Sequence, residues 1–86
     1  MKIIFEGEVF EGTPSEIIDQ FRRTTFDSSA FSDTVSFLRY MRDAFERVTE
    51  LPCELPEGSL DERAEAMLYR LADIDALEII EGNRHA

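Results

Sequence analysis

Residues 1–25 open Met1-Lys2-Ile3-Ile4-Phe5-Glu6-Gly7-Glu8-Val9-Phe10-Glu11-Gly12-Thr13-Pro14-Ser15-Glu16, and this stretch decides the fold. Lys2 to Phe5 is a short β-branched and aromatic run, Glu6-Gly7 offers a tight reversal, and Glu8 to Glu11 returns. Gly12 breaks the strand. Thr13 is an N-cap, Pro14 suits the first helical position, and Glu16, three residues after Thr13, completes a capping box. Hairpin, cap and helix are therefore expected in immediate succession. The alternation puts Ile3 and Phe5 on one face of the hairpin and Ile4 on the other, with Val9 and Phe10 split likewise. Two strands alone are marginal, so a third strand or a covering helix is required.

The first helix is predicted over about Pro14 to Arg23, with Ile17, Ile18 and Phe21 as its apolar stripe. Glu16 and Asp19 suit its N-terminal half, and Arg22 and Arg23 its C-terminal end, so the arginine pair has an ordinary electrostatic explanation. Thr24 to Ser32 is a connector rich in residues that bond their own backbone. Phe26 and Phe31 are expected there as core plugs, in a loop open to motion.

The second helix is predicted over about Asp33 to Thr49 with Ser32 as N-cap. Its stripe reads Val35, Leu38, Met41, Phe45 and Val48, widened by Phe37 and Ala44. Arg39, Asp43 and Arg47 alternate in sign four residues apart, the pattern of a solvated face with weak ion-pair support. Tyr40 and Arg42 lie near that side. Leu51 to Gly58 holds two prolines and a glycine, which exclude a helix. Ser59 caps a third helix with Glu62 completing a second capping box, and Leu60, Ala64, Met67, Leu68, Leu71 and Ala72 face inward. Leu77 to Glu81 reads as a strand ended by Gly82. A single domain over 1–82 with a flexible tail at 83–86 is expected. The predicted fold is α+β, in the order β-β-α-α-α-β: a small antiparallel three-stranded sheet covered by helices. Its second face is expected to carry Ile4, Ile80 or Phe10, an apolar surface suited to a homodimer or an accessory interaction.

The chain has 86 residues and a formal net charge of −10. Its acids sit mainly at the two ends, while residues 22–49 are nearly balanced. This disfavours direct binding of nucleic acid or anionic membranes and favours basic partners. The single cysteine, Cys53, excludes an intrachain disulfide and fits a cytoplasmic setting. No charged-then-apolar leader or long apolar run is present, so neither secretion nor membrane insertion is expected.

No catalytic constellation is visible. The only histidine, His85, lies one residue from the last, and Cys53 has no histidine near it in sequence. Metal ligation is not expected either. There is no Cys/His pair, and Asp73 and Asp75 begin a calcium-loop pattern that lacks its third acid and its glycine. Asp61, Glu62 and Glu65 read as a solvated helix start. The expectation is a protein without cofactor or catalysis. Two groups of carboxylates are candidate partner-binding rows: Glu6, Glu8, Glu11, Glu16 and Asp19, and Asp61, Glu62, Glu65, Glu78 and Glu81. Such rows can imitate duplex phosphates and occupy the basic groove of a nucleic-acid-binding protein.

Glu11-Gly12-Thr13-Pro14 and Leu77-Glu78-Ile79-Ile80 resemble the two ends of a type of short reading frame common in bacteriophages and other mobile elements. At the level of class, on size and charge, the chain is similar to anti-CRISPR proteins, several of which mimic DNA. The resemblance implies an inhibitor of a basic nucleic-acid-binding host complex, with a CRISPR effector as the named partner.

Overall fold

The fold was analysed in a computed structural model that describes residues 1–24 and 33–81. Strands β1 (Lys2–Phe5) and β2 (Glu8–Glu11) form the opening hairpin. Glu6 and Gly7 both take positive φ, 52° and 81°, the two-residue turn whose twist matches the flanking strands. Gly12 has φ 145° and lies so close to Glu16 that an added Cβ would sit 3.2 Å from the Glu16 Cβ, so both its backbone and the approach of helix α1 (Pro14–Thr24) require glycine there. The capping box forms as the sequence predicts. The Thr13 Oγ1 accepts from the Glu16 N–H at 3.2 Å, and the Glu16 carboxylate accepts from the Thr13 N–H at 3.0 Å.

Helix α2 (Thr34–Thr49) starts one residue later than expected, because Asp33 rather than Ser32 is its cap: the Asp33 carboxylate accepts from the Ser36 N–H at 2.8 Å. Ser32, like Phe26 and Phe31, lies outside the described residues, as do Gly82 and the predicted tail at 83–86 with His85. The core face of α2 also differs. Phe37, Leu38 and Phe45 are buried with Met41 against them, while Val48 is 81% exposed and Val35 39%. The true stripe runs 37, 38, 41, 45, rotated from the predicted one, since α1 and α3 both pack on α2 and select that side. Asp43 pairs with its neighbour Arg42 at 3.2 Å rather than four residues along the helix.

Helix α3 (Leu60–Asp73) carries the second capping box between Ser59 and Glu62. It ends with Asp75 in the left-handed region at φ 60°, where the Ala76 N–H reaches the Leu71 carbonyl and the Asp75 N–H the Ala72 carbonyl. Strand β3 (Glu78–Glu81) then returns to the hairpin.

The sheet order is β2-β1-β3, antiparallel throughout. Ile3 faces Phe10 on one side and Ile79 on the other, and a bulge in β3 brings Glu81 opposite Lys2. Phe10 belongs to the helix-covered face, not the second face. It is buried and meets the Phe21 ring edge-on at 4.9 Å between centroids, with Phe5 on the same ring at 5.2 Å. The core is continuous from Ile3 and Phe10 through Ile17, Ile18 and Phe21 to Met67 and Leu68, with Cys53 and Leu77 closing it. Ile4, Val9 and Ile80 are left to the other face, where Val9 is 55% and Ile80 49% exposed.

Candidate functional site

The ten candidate carboxylates divide by what the fold asks of them. Four are engaged within the fold, three of them on backbone N–H groups and Asp19 on side chains. Glu16 and Glu62 close the capping boxes of α1 and α3. Asp61 reaches from the first turn of α3 to α1 and accepts the Ser15 N–H at 2.9 Å, so one helix start caps another. Asp19 accepts from Arg22 and pairs with Arg23, both at 2.8 Å, and takes the Thr34 hydroxyl at 3.0 Å, tying α1 to the first residue of α2.

These bonds are reflected in acidity. The Thr13 backbone N–H and then its hydroxyl hold Glu16 below the ordinary carboxylate range. Arg22 does the same for Asp19, against some desolvation. The Ser15 hydroxyl and N–H lower Asp61, and the Ser36 N–H lowers Asp33. Each favours the ionised form because the donors aim at it.

The other six, Glu6, Glu8, Glu11, Glu65, Glu78 and Glu81, have no side-chain hydrogen bond or ion pair among the described residues. Five of them ride on the sheet. Glu6 sits in the turn, Glu8 follows it, and Glu78 stands opposite Ile4. Glu11 and Glu81 stand either side of Lys2, on strands that lie about 10 Å apart at the ordinary strand spacing. The spatial groups therefore cut across the two rows read from the sequence. Glu16, Asp61, Glu62 and Glu65 gather where α1 and α3 begin, with Asp61 and Glu62 sharing a shallow depression with Glu65. Glu11, Glu78 and Glu81 gather around the central strand. Sequence reasoning had no means of joining Ser15 to Asp61, because nothing local links residues on separate helices.

Cys53 is buried, its Sγ 3.9 Å from the Met67 Sδ, and burial pushes its thiol up despite the nearby Arg70. That is the wrong direction for a nucleophile at neutral pH. Arg70 instead holds the linker: its Nη2 donates to the Pro52 carbonyl at 2.8 Å, and its guanidinium lies over the Phe45 ring at 5.5 Å. Among the described residues no group of three or more His, Cys, Asp or Glu is placed to hold a metal ion, and no helix is long and apolar enough to cross a membrane. Comparison with protein families, with curated proteins and with solved structures finds no match to this chain.

Proposed function

We propose that the protein is a non-catalytic binding module whose sheet-side carboxylates engage a basic surface of a nucleic-acid-binding protein, in the manner of a phosphate mimic. The observation that carries this reading is the division of the carboxylates. Folding uses Glu16, Asp19, Asp61 and Glu62, yet among the described residues Glu6, Glu8, Glu11, Glu78 and Glu81 have no partners around the sheet, where Lys2 is the only basic side chain on the three strands. Like charges gathered without compensation cost stability, which a basic partner would return as attraction. A CRISPR effector, whose channel is lined for nucleic acid, is the particular host complex that the class resemblance to anti-CRISPR proteins implies.

The test is a pull-down from host lysate, and then against the purified complex, at about 0.1 M and about 1 M salt, where the Debye length falls from ~10 Å to ~3 Å. A basic nucleic-acid-binding protein held at low salt and released at high salt is expected, and the triple variant Glu6→Lys, Glu8→Lys, Glu78→Lys should lose it. Undiminished binding by that variant would sink the proposal.

A second reading rests on Val9 and Ile80, exposed beside Ile4 on the sheet face turned away from the helices. It makes the protein a homodimer or accessory assembly module joined through that face. Sedimentation that gives a monomer at high concentration excludes the homodimer and counts heavily against this reading, and salt-resistant self-association would favour it over mimicry.

A further inference from the structure

A groove opens between α2, the linker over 51–59 and the first turns of α3. Arg39 and Arg42 enter it from α2 and Arg63 from α3, over a lining that includes Leu38, Leu55 and the buried Cys53. Three guanidiniums gathered in one place stand out in a chain of net charge −10. The Nε–H groups of Arg42, Arg63 and Arg70 are buried and, among the described residues, have no acceptor; the first two belong to residues that line this groove. Buried N–H groups are nearly always satisfied, so two orphans on residues that line one groove ask for an acceptor.

Neighbouring acids do not supply it. Glu46 lines the groove, but its Oε2 accepts the Cys53 N–H at 3.0 Å. Glu54 and Glu57 are exposed on the linker, and among the described residues neither pairs with any of the three arginines. Among the described residues the one ionic contact of Arg42 is made through Nη2 to Asp43, and its Nε has no partner there.

We propose that this groove binds a small organic anion through a single carboxylate or phosphate, held by the guanidiniums of Arg42 and Arg63 with the exposed Arg39 assisting. The guanidinium fork matches the paired oxygens of such a group, and its weak hydration lets it bind in a partly apolar setting. Leu38 and Leu55 offer a surface for the carbon part of the ligand. Glu54 and Glu57, together with the chain's overall charge, repel polyanions, so the class selected is a compact ligand of low charge and not a nucleic acid. The site is independent of the acidic sheet surface and stands or falls without it.

The experiment is an NMR titration of the 15N-labelled full chain with hexanoate, with inorganic phosphate, and with chloride at matched ionic strength. The Arg42 and Arg63 Nε–H resonances should move with hexanoate or phosphate and stay in place with chloride. The tighter of the two identifies the source, an organic carboxylate or a phosphate. Arg42→Gln and Arg63→Gln should each weaken binding about tenfold or more, the usual loss of a charged hydrogen bond. Arg39→Gln, altered at an exposed position, should weaken it less and keeps the comparison open if either of the others fails to fold. Resonances that do not move with either anion, or move equally with chloride, would overturn the proposal and leave the groove to water. Unchanged affinity in the Arg42 and Arg63 variants would overturn it as well.

Discussion

Asp61 has two identities that a sequence cannot separate: an acid on a surface, and the cap of a helix to which it does not belong. The first turn of any helix leaves backbone N–H groups without intrahelical partners. In α1 the Thr13 hydroxyl takes one of them, at Glu16, and Asp61 takes another, at Ser15. Asp61→Ala should therefore destabilise the protein by about 0.5–1 kcal/mol in urea unfolding at neutral pH, the lower part of the capping range because water reaches the site. Asp61→Asn should lose less, since its amide oxygen still accepts. The sign with pH follows from the lowered pKa. The contribution is complete above the unfolded value near 3.9 and fades as pH falls through the folded one, so wild type and Asp61→Ala should converge in strong acid. An Asp61→Ala variant as stable as wild type at neutral pH would mean that the bridge between the helices carries no weight.

At the scale of elements, what could be read in advance was what is decided locally. The hairpin turn needs Gly7 at positive φ, and the boxes at Thr13-Glu16 and Ser59-Glu62 are closed by residues three apart, so all three appear where the sequence places them. The start of α2 was less determinate because Ser32 and Asp33 are adjacent and both suit a cap; contact with the Ser36 N–H selects Asp33. Its buried side holds Phe37, Leu38, Met41 and Phe45 as expected but not Val35 or Val48, for a different reason. Val35 and Val48 recur at helical spacing just as Phe37 and Ala44 do, so the helix offers more than one apolar stripe, and only packing against α1 and α3 chooses. Candidate acids were legible as a class, but which of them the fold consumes depends on partners in distant segments, as between Asp61 and Ser15. The rotation of α2 has a direct test in urea denaturation. Val48→Ala should change stability by less than about 0.5 kcal/mol, whereas Phe45→Ala should cost about 3–5 kcal/mol through its cavity, besides removing the ring beneath Arg70. Comparable losses from the two would return Val48 to the core.

For the whole molecule two electrostatic tendencies oppose each other. The net charge of −10 makes the folded state repel itself at neutral pH, and protonation relieves that repulsion. Glu16, Asp19, Asp33 and Asp61 work the other way, because a lowered pKa in the folded state stabilises it only while the group is ionised. The melting temperature should therefore hold or rise as pH falls from 7 towards about 5 and drop below about 4, as these four take up protons. A melting temperature that goes on rising to pH 3 would show that the capping carboxylates add nothing to stability. The sheet order has a further consequence, in time. β1 lies between β2, which follows it at once, and β3, whose residues come last among those described. On a ribosome adding roughly 5–20 residues per second, one edge of β1 waits about 4–14 s for its partner. Throughout that interval the Ile3 and Ile4 backbone lacks its β3 partner, an unpaired strand edge open to pairing with other chains.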